Sequence, residues 1–219
     1  AAANGAGLGS MFWNPAAMTG YSGIQVSATG SLILPFAKLS NQSTSSPGYA
    51  GLGALGASSN SGNEGMAALV PAGYFSWQLN ETLWAGLSIN APFGLATKPD
   101  AAWSGRDYNS TTSVSSVNVS PMLAYKYSES VSFGGGLNFI KLDAKYTSGF
   151  MNSTSGPGGF PASLSSPTSW AIFGMKGEGT AWGFNLGGSF KPNSSTEVGI
   201  GYRSQMDVKV DGDFFGFPY

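Results

Sequence analysis

The chain has no cysteine and no histidine among its 219 residues. Without cysteine there is neither a disulfide framework nor a thiolate nucleophile. Without histidine, the Ser-His and Cys-His catalytic relays and the usual zinc sites are excluded as well. The 11 acidic residues are scattered along the sequence rather than clustered. We therefore expect a protein that is not an enzyme and that binds no metal and no cofactor.

Charge and long apolar runs are also scarce. Charged residues make up 10% of the chain, against about 25% in an average soluble domain. The net charge is −1, so no basic surface for nucleic acid is expected. No apolar run approaches the roughly 18 residues that a membrane-spanning helix needs, and the first residues lack the pattern of a signal peptide. With 33 glycines and 13% aromatic residues, an outer-membrane β-barrel and a soluble β-sandwich remain open.

Alternation of apolar and polar residues predicts seven strands. In residues 114–127 the odd positions are mostly apolar and the even positions mostly polar. In residues 197–211 the apolar residues from Val198 to Val210 share one face and the charged residues share the other, which suits a wall between lipid and water. In residues 131–146 the alternation slips by one residue after Phe139, which predicts a β-bulge. The other predicted strands cover residues 24–34, 66–79, 83–91 and 180–190.

The predicted connections alternate between short and long. Short turns fall near residues 79–82, 127–130 and 191–196, and long loops cover about residues 35–65, 97–112 and 147–179. Bacterial outer-membrane barrels have short periplasmic turns and longer extracellular loops. A sandwich has no reason to sort its loops by length between its two ends. The sequence therefore favours an all-β, transmembrane antiparallel β-barrel.

Four segments of the chain, in the same order, resemble the FadL-type outer-membrane transporters of long-chain fatty acids and other hydrophobic compounds. They are WNPAAMTG at 13–20, LNETLWAGLSINAPFGLAT at 79–97, SPMLAYKYSESVSFGGGLNFIKLDAKY at 120–146 and GTAWGFNLGGSFKPNSSTEVGIGYRSQMDVKVDGDF at 179–214. The resemblance implies a location in the bacterial outer membrane. It also implies a barrel of about fourteen strands, of which this chain supplies about seven as the N-terminal half.

The resemblance further implies that residues 1–23 form a hatch inside the lumen and that residues 24–219 form the wall. The hatch motif of the family maps onto Asn14, Pro15 and Ala16. An ordinary turn before the first strand is the alternative interpretation of these residues.

A kink in the third strand, which opens the wall sideways in the family, maps onto Pro92, Phe93, Gly94, Leu95 and Ala96. Proline lacks an N–H to donate and glycine tolerates unusual dihedral angles, so a strand can leave its neighbour here. Backbone left unpaired near lipid needs another partner. We expect the Asn14 side chain and nearby hatch carbonyls to supply one.

The loop predicted at residues 147–179 is rich in apolar side chains, which is unusual for an exposed loop. The resemblance identifies it with a loop that captures substrate. The predicted ligand-binding residues are Phe150, Met151, Phe160, Leu164, Trp170 and Phe173. Packing of the loop on itself is the alternative.

The function implied is passive uptake of hydrophobic molecules, captured by the loops and released sideways at the kinked third strand. The expected partners are fatty acids, hydrocarbons or detergent, together with membrane lipid and lipopolysaccharide. A water-filled general porin and a structural or adhesive surface protein are the alternatives. Seven strands leave two open edges, so a missing C-terminal half or a partner chain is expected to close the barrel.

Overall fold

The computed structural model describes residues 7–38, 63–99, 111–151, 170–193 and 195–218. These ranges contain two short 3₁₀ helices, Leu8–Phe12 and Pro15–Gly20, followed by nine strand segments. The segments are β1 (Ile24–Ile33), β2 (Ala68–Gln78), β3 (Leu83–Asn90), β4 (Gly94–Thr97), β5 (Thr111–Lys126), β6 (Val131–Met151), β7 (Trp170–Asn193), β8 (Thr196–Arg203) and β9 (Lys209–Pro218). No helix in the described part of the chain is long and apolar enough to cross a membrane.

The described strands form one antiparallel sheet with the order β1-β2-β3-β5-β6-β7-β8. β4 continues β3 and pairs with β5, and β9 continues β8 and pairs with β7. The sheet therefore has seven strand positions and curls into about half of a barrel. The all-β barrel fold expected from the alternation is confirmed.

The short turns lie where they were predicted, but one loop prediction is wrong in its bounds. The ladder between β6 and β7 runs from Val131 paired with Phe190 to Met151 paired with Trp170. Both strands therefore extend well into the range 147–179 that was expected to be a loop. Uninterrupted pairing prevails here over a local composition rich in Gly and Ser.

The outward face of β6 and β7 carries a band of exposed apolar side chains. On β6 these are Phe133, Leu137 and Phe139, and on β7 they are Trp182, Phe184, Leu186 and Phe190. The band covers nine residues of β7, from Trp182 to Phe190, or about 30 Å of strand. A strand of that length, tilted as barrel strands are, matches the apolar band of about 25 Å in an outer-membrane wall.

Charged rows replace the apolar band on the next part of the same face. The pairing aligns Asp143 of β6 with Glu178 of β7 and Glu178 with Asp211 of β9. Lys141, one row nearer the band, places its Nζ 2.8 Å from Glu178 Oε2. Because charge on the lipid side of a wall is destabilising, this change in the outward face marks where the wall leaves the hydrocarbon layer.

The β-bulge predicted after Phe139 is wrong. The pairing of β6 with β5 and with β7 keeps one register on both sides of Phe139. The chemistry of the two faces changes instead, because the outward face becomes charged at Lys141 while the lumen face becomes apolar at Ile140. The strand therefore leaves the lipid without changing its register.

The seventh strand position carries the irregularity that was expected in β6. Between the pairs Asn185–Arg203 and Thr180–Lys209 there are four residues on β7 but five on the other strand. One extra residue exchanges the two faces of a strand. Even-numbered residues of β8 such as Ile200 point outward, whereas Val210 of β9 lines the lumen. The prediction that all apolar residues of 197–211 share one face is therefore wrong.

We predict that lysine destabilises the outward face strongly inside the apolar band and weakly above it. Leu137→Lys should lower the free energy of unfolding by about 2–4 kcal/mol and Thr180→Lys by about 1 kcal/mol or less. Urea titration of the protein folded into lipid vesicles measures both. Equal losses at the two positions would contradict the assigned edge of the hydrocarbon layer.

Candidate functional site

Residues 7–23 are the described part of the segment that was predicted to be a hatch, and the name is kept for it below; they pack against the lumen face of the sheet. Asn14 caps the second 3₁₀ helix, because its Oδ1 accepts a hydrogen bond of 3.0 Å from the Ala16 N–H. Its Nδ2 donates to the carbonyl oxygen of Gly188 on β7, also at 3.0 Å. Pro15 takes the first helical position, where the missing N–H leaves no helical bond unmade. The fully buried Asn14 thus joins the hatch to the wall.

A row of three glycines on adjacent strands receives the hatch. Gly134 of β6 pairs with Gly187 of β7, and Gly187 pairs with Gly201 of β8. A Cβ on Gly134 would lie 2.6 Å from the Ala16 nitrogen, and one on Gly187 would overlap the Asn14 side chain. On Gly201 it would overlap the Trp13 carbonyl oxygen. We call this row the glycine seat, because its missing side chains let the hatch backbone approach the sheet.

Arg203 binds the hatch at a second residue, Phe12. Its Nη2 donates a hydrogen bond of 2.9 Å to the Phe12 carbonyl oxygen, and its guanidinium carbon lies 4.0 Å from the centroid of the Phe12 ring. A cation over an aromatic face contributes about 0.5–2 kcal/mol. The sequence placed Arg203 among charges facing lumen water, so its bond to the hatch was missed.

Apolar packing and side-chain hydrogen bonds complete the attachment of the hatch. The buried apolar cluster joins hatch residues to β3 and β5, and its members are Leu8, Met11, Met18, Trp84, Met122 and Ala124. Trp84 donates its indole N–H to the Tyr21 carbonyl oxygen at 2.7 Å. Thr19 donates to the Ser132 hydroxyl of β6 at 2.9 Å. The hatch is therefore held on several strands at once.

The third strand is broken where the kink was predicted, with Pro92 and Phe93 in the break and Gly94, Leu95 and Ala96 in β4. Between the pairs Asn90–Asn118 and Gly94–Ser115 the third strand has three residues and β5 has two. As in the seventh strand, one extra residue shifts the register.

The prediction that Asn14 and hatch carbonyls bind the backbone at this break is wrong. The Phe93 N–H donates to the Ser116 hydroxyl at 3.0 Å, and the Phe93 carbonyl oxygen accepts from the Ser116 N–H, also at 3.0 Å. Gly94 to Thr97 are paired along β5. The neighbouring strand thus satisfies this backbone, while Asn14 bonds to β7 and to its own helix. The irregular seventh strand has an equivalent pair of bonds. There the Phe184 N–H donates to the Ser204 hydroxyl and the Ser204 N–H donates to the Phe184 carbonyl oxygen.

A gap in the ladder lies on the opposite side of the third strand. Its pairing with β2 ends at Ala72 with Asn90 and resumes as a bridge between Gly65 and Thr97, with Met66 N–H bonding the Ala96 carbonyl oxygen at 3.3 Å. Residues 67–71 and 91–95 face each other without a pair between them. We call this interval the wall window. Pro71 and Pro92 lie within it, and neither has an N–H with which to rebuild the ladder.

An apolar cavity of 340 Å³ lies on the lumen face, farther from the periplasmic turns than the hatch. Its apolar lining comes from β5, β6, β7 and β9, and consists of Val114, Ala144, Tyr146, Met175, Val210 and Phe214; Lys145, Lys176 and Asp213 also border it. In the described part of the chain, no group of three or more His, Cys, Asp or Glu side chains is arranged to hold a metal ion. The cavity offers mainly apolar contact, with charged residues at its border.

Comparison with known families shows which family the chain belongs to. The family model of the outer membrane protein transport proteins (OMPP1/FadL/TodX) matches residues 1–216. The chain belongs to this family. It is an outer-membrane protein that crosses the bilayer with strands.

Individual relatives agree with the family. The chain is 29% identical over 159 residues to a long-chain fatty acid transport protein of Escherichia coli O6:H1, covering 67% of this chain and 35% of that protein. It is 24% identical over 219 residues to outer membrane protein P1 of Haemophilus influenzae, with coverages of 89% and 47%. The chain thus spans about half, or less, of the length of the curated relatives that it matches.

Two solved structures share the fold. A FadL homologue of Pseudomonas aeruginosa superposes with a TM-score of 0.64 at 21% identity, covering 91% of this chain and 47% of that one. The CymD monoaromatic hydrocarbon channel superposes with a TM-score of 0.57 at 17% identity, with coverages of 99% and 54%. At these identities the likeness concerns the fold alone.

The predicted ligand-binding residues do not all lie in a loop of this FadL-type wall. Phe150 and Met151 end β6, and Trp170 and Phe173 begin β7, where they belong to one ladder. Phe160 and Leu164 lie outside the described residues. Phe150, Met151, Trp170 and Phe173 therefore belong to the outermost described rows of the β6–β7 ladder. Their role in binding stays a prediction.

We predict that filling the glycine seat releases the hatch. Gly187→Val would displace Asn14 and should lower the free energy of unfolding by about 1–3 kcal/mol, the usual cost of overpacking. It should also raise ion conductance in planar bilayers, because the lumen is then less obstructed.

Gly188→Val is the matched control. A Cβ there meets no heavy atom closer than 3.9 Å, so stability and conductance should stay near those of the unaltered protein. Equal effects of the two variants would show that the seat does not hold the hatch.

Proposed function

We propose that the protein containing this chain is a passive outer-membrane channel for hydrophobic molecules such as long-chain fatty acids, and that its cargo leaves sideways through the wall window. The observation that carries the proposal is the combination of an apolar cavity, a wall window and a hatch across the lumen. Two named relatives transport long-chain fatty acids or conduct monoaromatic hydrocarbons. No covalent step and no cofactor is required.

The cavity binds the cargo on its way to the wall window. Removal of apolar surface from water contributes about 25 cal/mol per Å², so Tyr146, Met175 and Phe214 stabilise an alkyl chain or an aromatic ring by apolar contact. Phe150, Met151, Trp170 and Phe173 occupy the outermost rows of the same wall, and we propose that they receive the cargo before the cavity does.

Exit of cargo takes place through the wall window. Backbone groups in lipid must be paired within the protein, and an ordinary barrel wall is therefore closed along every strand. The window is compatible with this requirement because Pro71 and Pro92 have no N–H and because Ser116 satisfies Phe93. An apolar molecule that passes here reaches the hydrocarbon layer without crossing the hatch.

The hatch supports lateral release over the alternative of a water-filled porin. Asn14, Arg203 and the glycine seat fix it to β6, β7 and β8, and the apolar cluster fixes it to β3 and β5. A porin needs an open polar lumen, whereas this lumen is blocked on the side formed by the described strands.

Two further partners complete the proposal. The outer edge of β1 and that of β8 have no ladder partner among the described residues, and strands from the rest of the protein or from a partner chain would close the barrel. The charged rows around Lys141, Glu178 and Asp211 lie beyond the apolar band, where they would meet lipid headgroups or lipopolysaccharide.

The test is to rebuild the ladder across the window. Pro71→Val combined with Pro92→Val restores two backbone donors and two side chains that favour strands. We expect uptake of radiolabelled dodecane and dodecanoate into proteoliposomes to fall towards the rate of vesicles without protein, while folding is retained.

Gly73→Val controls for adding a valine to β2. Gly73 lies in the part of β2 that is paired on both sides, and a Cβ there meets no atom within 4 Å. Uptake by this variant should equal that of the unaltered protein. If the double proline variant folds and transports at the unaltered rate, lateral release at the window is wrong.

A further inference from the structure

A set of buried polar side chains lies on the lumen face between the hatch and the apolar cavity. We call it the amide ladder, and its members are Ser88, Asn90, Asn118, Ser120, Asn138 and Asn185. All are at most 8% exposed, and Asn118, Ser120 and Asn138 are fully buried. They lie on four neighbouring strands, β3, β5, β6 and β7. The wall strands thus bring them together from distant parts of the sequence.

Hydrogen bonds within the amide ladder use only part of its capacity. Asn118 Nδ2 donates to Ser120 Oγ at 2.8 Å, and Ser120 Oγ donates to Asn138 Oδ1 at 2.6 Å. Five of the ladder's side chains still have a buried atom without a partner, namely Ser88 Oγ, Asn90 Nδ2, Asn118 Oδ1, Asn138 Nδ2 and both polar atoms of Asn185. Unsatisfied buried polar atoms are rare in native proteins, and each needs an explanation.

Donors outnumber acceptors among these unpartnered atoms. The side-chain amides of Asn90, Asn138 and Asn185 each offer N–H groups, and the Ser88 hydroxyl can donate as well. The complementary ligand is rich in acceptors. A carboxylate has two oxygens and about four lone-pair positions, so it matches this surface better than a hydroxyl does.

A positive charge lies at one end of the amide ladder. Arg203 is the cross-strand partner of Asn185, and its guanidinium group forms no ion pair with a carboxylate among the described residues. Its bond to the Phe12 carbonyl oxygen uses one of five N–H donors. A half-buried cation beside unpartnered amides favours an anion at this place.

The amide ladder is continuous with the two parts of the proposed path. Val114, in the lining of the cavity, lies four residues beyond Asn118 on the same face of β5, or about 13 Å along the strand. Asn90 is the last residue of β3 before the break at the wall window. A ligand that spans this distance places its polar end next to the window and its apolar end in the cavity.

We propose that the amide ladder and Arg203 form a binding site for the carboxylate of an amphipathic molecule, whose tail lies in the apolar cavity and whose head points towards the hatch. The proposal rests on the proposed uptake function and adds the residues that select the head group and the orientation of the bound ligand. Asn138 and Asn185 are the main donors, and Arg203 compensates the charge.

The first experiment compares dodecanoate, dodecanol and dodecane as ligands of the purified full-length protein in lipid nanodiscs. Asn138→Leu and Asn185→Leu each remove an amide while keeping a side chain of similar size. We expect each to weaken dodecanoate binding about tenfold or more, as for a lost hydrogen bond to a charged group, and to change dodecane binding by less than about twofold.

Ile140→Leu is the control, because Ile140 lies two residues from Asn138 on the same buried face of β6 and has no polar group. It should leave the preference among the three ligands unchanged. If the asparagine variants bind all three ligands as the unaltered protein does, the amide ladder binds only water and the proposed carboxylate site is wrong. The proposed uptake function is not affected by that result. If the unaltered protein binds none of them, the proposed function fails as well.

A second measurement needs no variant. A crystal grown with 12-bromododecanoate locates the bromine by its anomalous scattering. We expect the bromine beside Tyr146 and Phe214 in the cavity, with the carboxylate at Asn138 and Asn185. A bromine beside Asn138, which is the reverse orientation, would overturn the proposal.

Discussion

Backbone hydrogen bonding inside lipid is the constraint on which the rest of this structure depends. A wall of strands must pair every N–H and carbonyl group, and the long β6–β7 ladder does so without interruption. Among the described strands, the third and the seventh each carry one extra residue that shifts the register. In both places a serine hydroxyl accepts from the N–H of a phenylalanine on the adjacent strand, and the serine N–H donates to the carbonyl oxygen of that phenylalanine. At the wall window an interval stays open, and its two prolines remove donors that lipid could not satisfy.

The lumen depends on where side chains are missing and where they are polar. The glycine seat lets the hatch backbone touch β6, β7 and β8, and Asn14 and Arg203 then fix it by hydrogen bonds and a cation–π contact. Beyond the hatch come the amide ladder and, after it, apolar side chains. The lumen face is polar near the hatch and becomes apolar farther from it. The outward face is apolar near the hatch and becomes charged farther from it. The hatch, the amide ladder and the apolar cavity therefore follow one another along the same strands.

The strands and turns were predictable because alternation and turn composition are local signals. The irregularities were not, because an exchange of polarity between faces has two causes, a shift of register or departure from the lipid. In β6 the cause is departure from the lipid, and in the seventh strand it is an extra residue; only the pairing partner distinguishes them. The glycine seat was equally inaccessible, since Gly134, Gly187 and Gly201 become neighbours only through the ladder. The break near Pro92 had a local signal, but its partner Ser116 had none.

The most direct test of the account is a reversible closure of the wall window in an otherwise cysteine-free chain. Leu69 and Phe93 each lie three residues inside the window from its paired edge and are largely exposed. A Leu69→Cys, Phe93→Cys variant can be oxidised to a disulfide and reduced again while uptake of dodecane into proteoliposomes is followed. We predict that uptake stops on oxidation and returns on reduction. Undiminished uptake with the disulfide fully formed would contradict the claim that cargo leaves through the window.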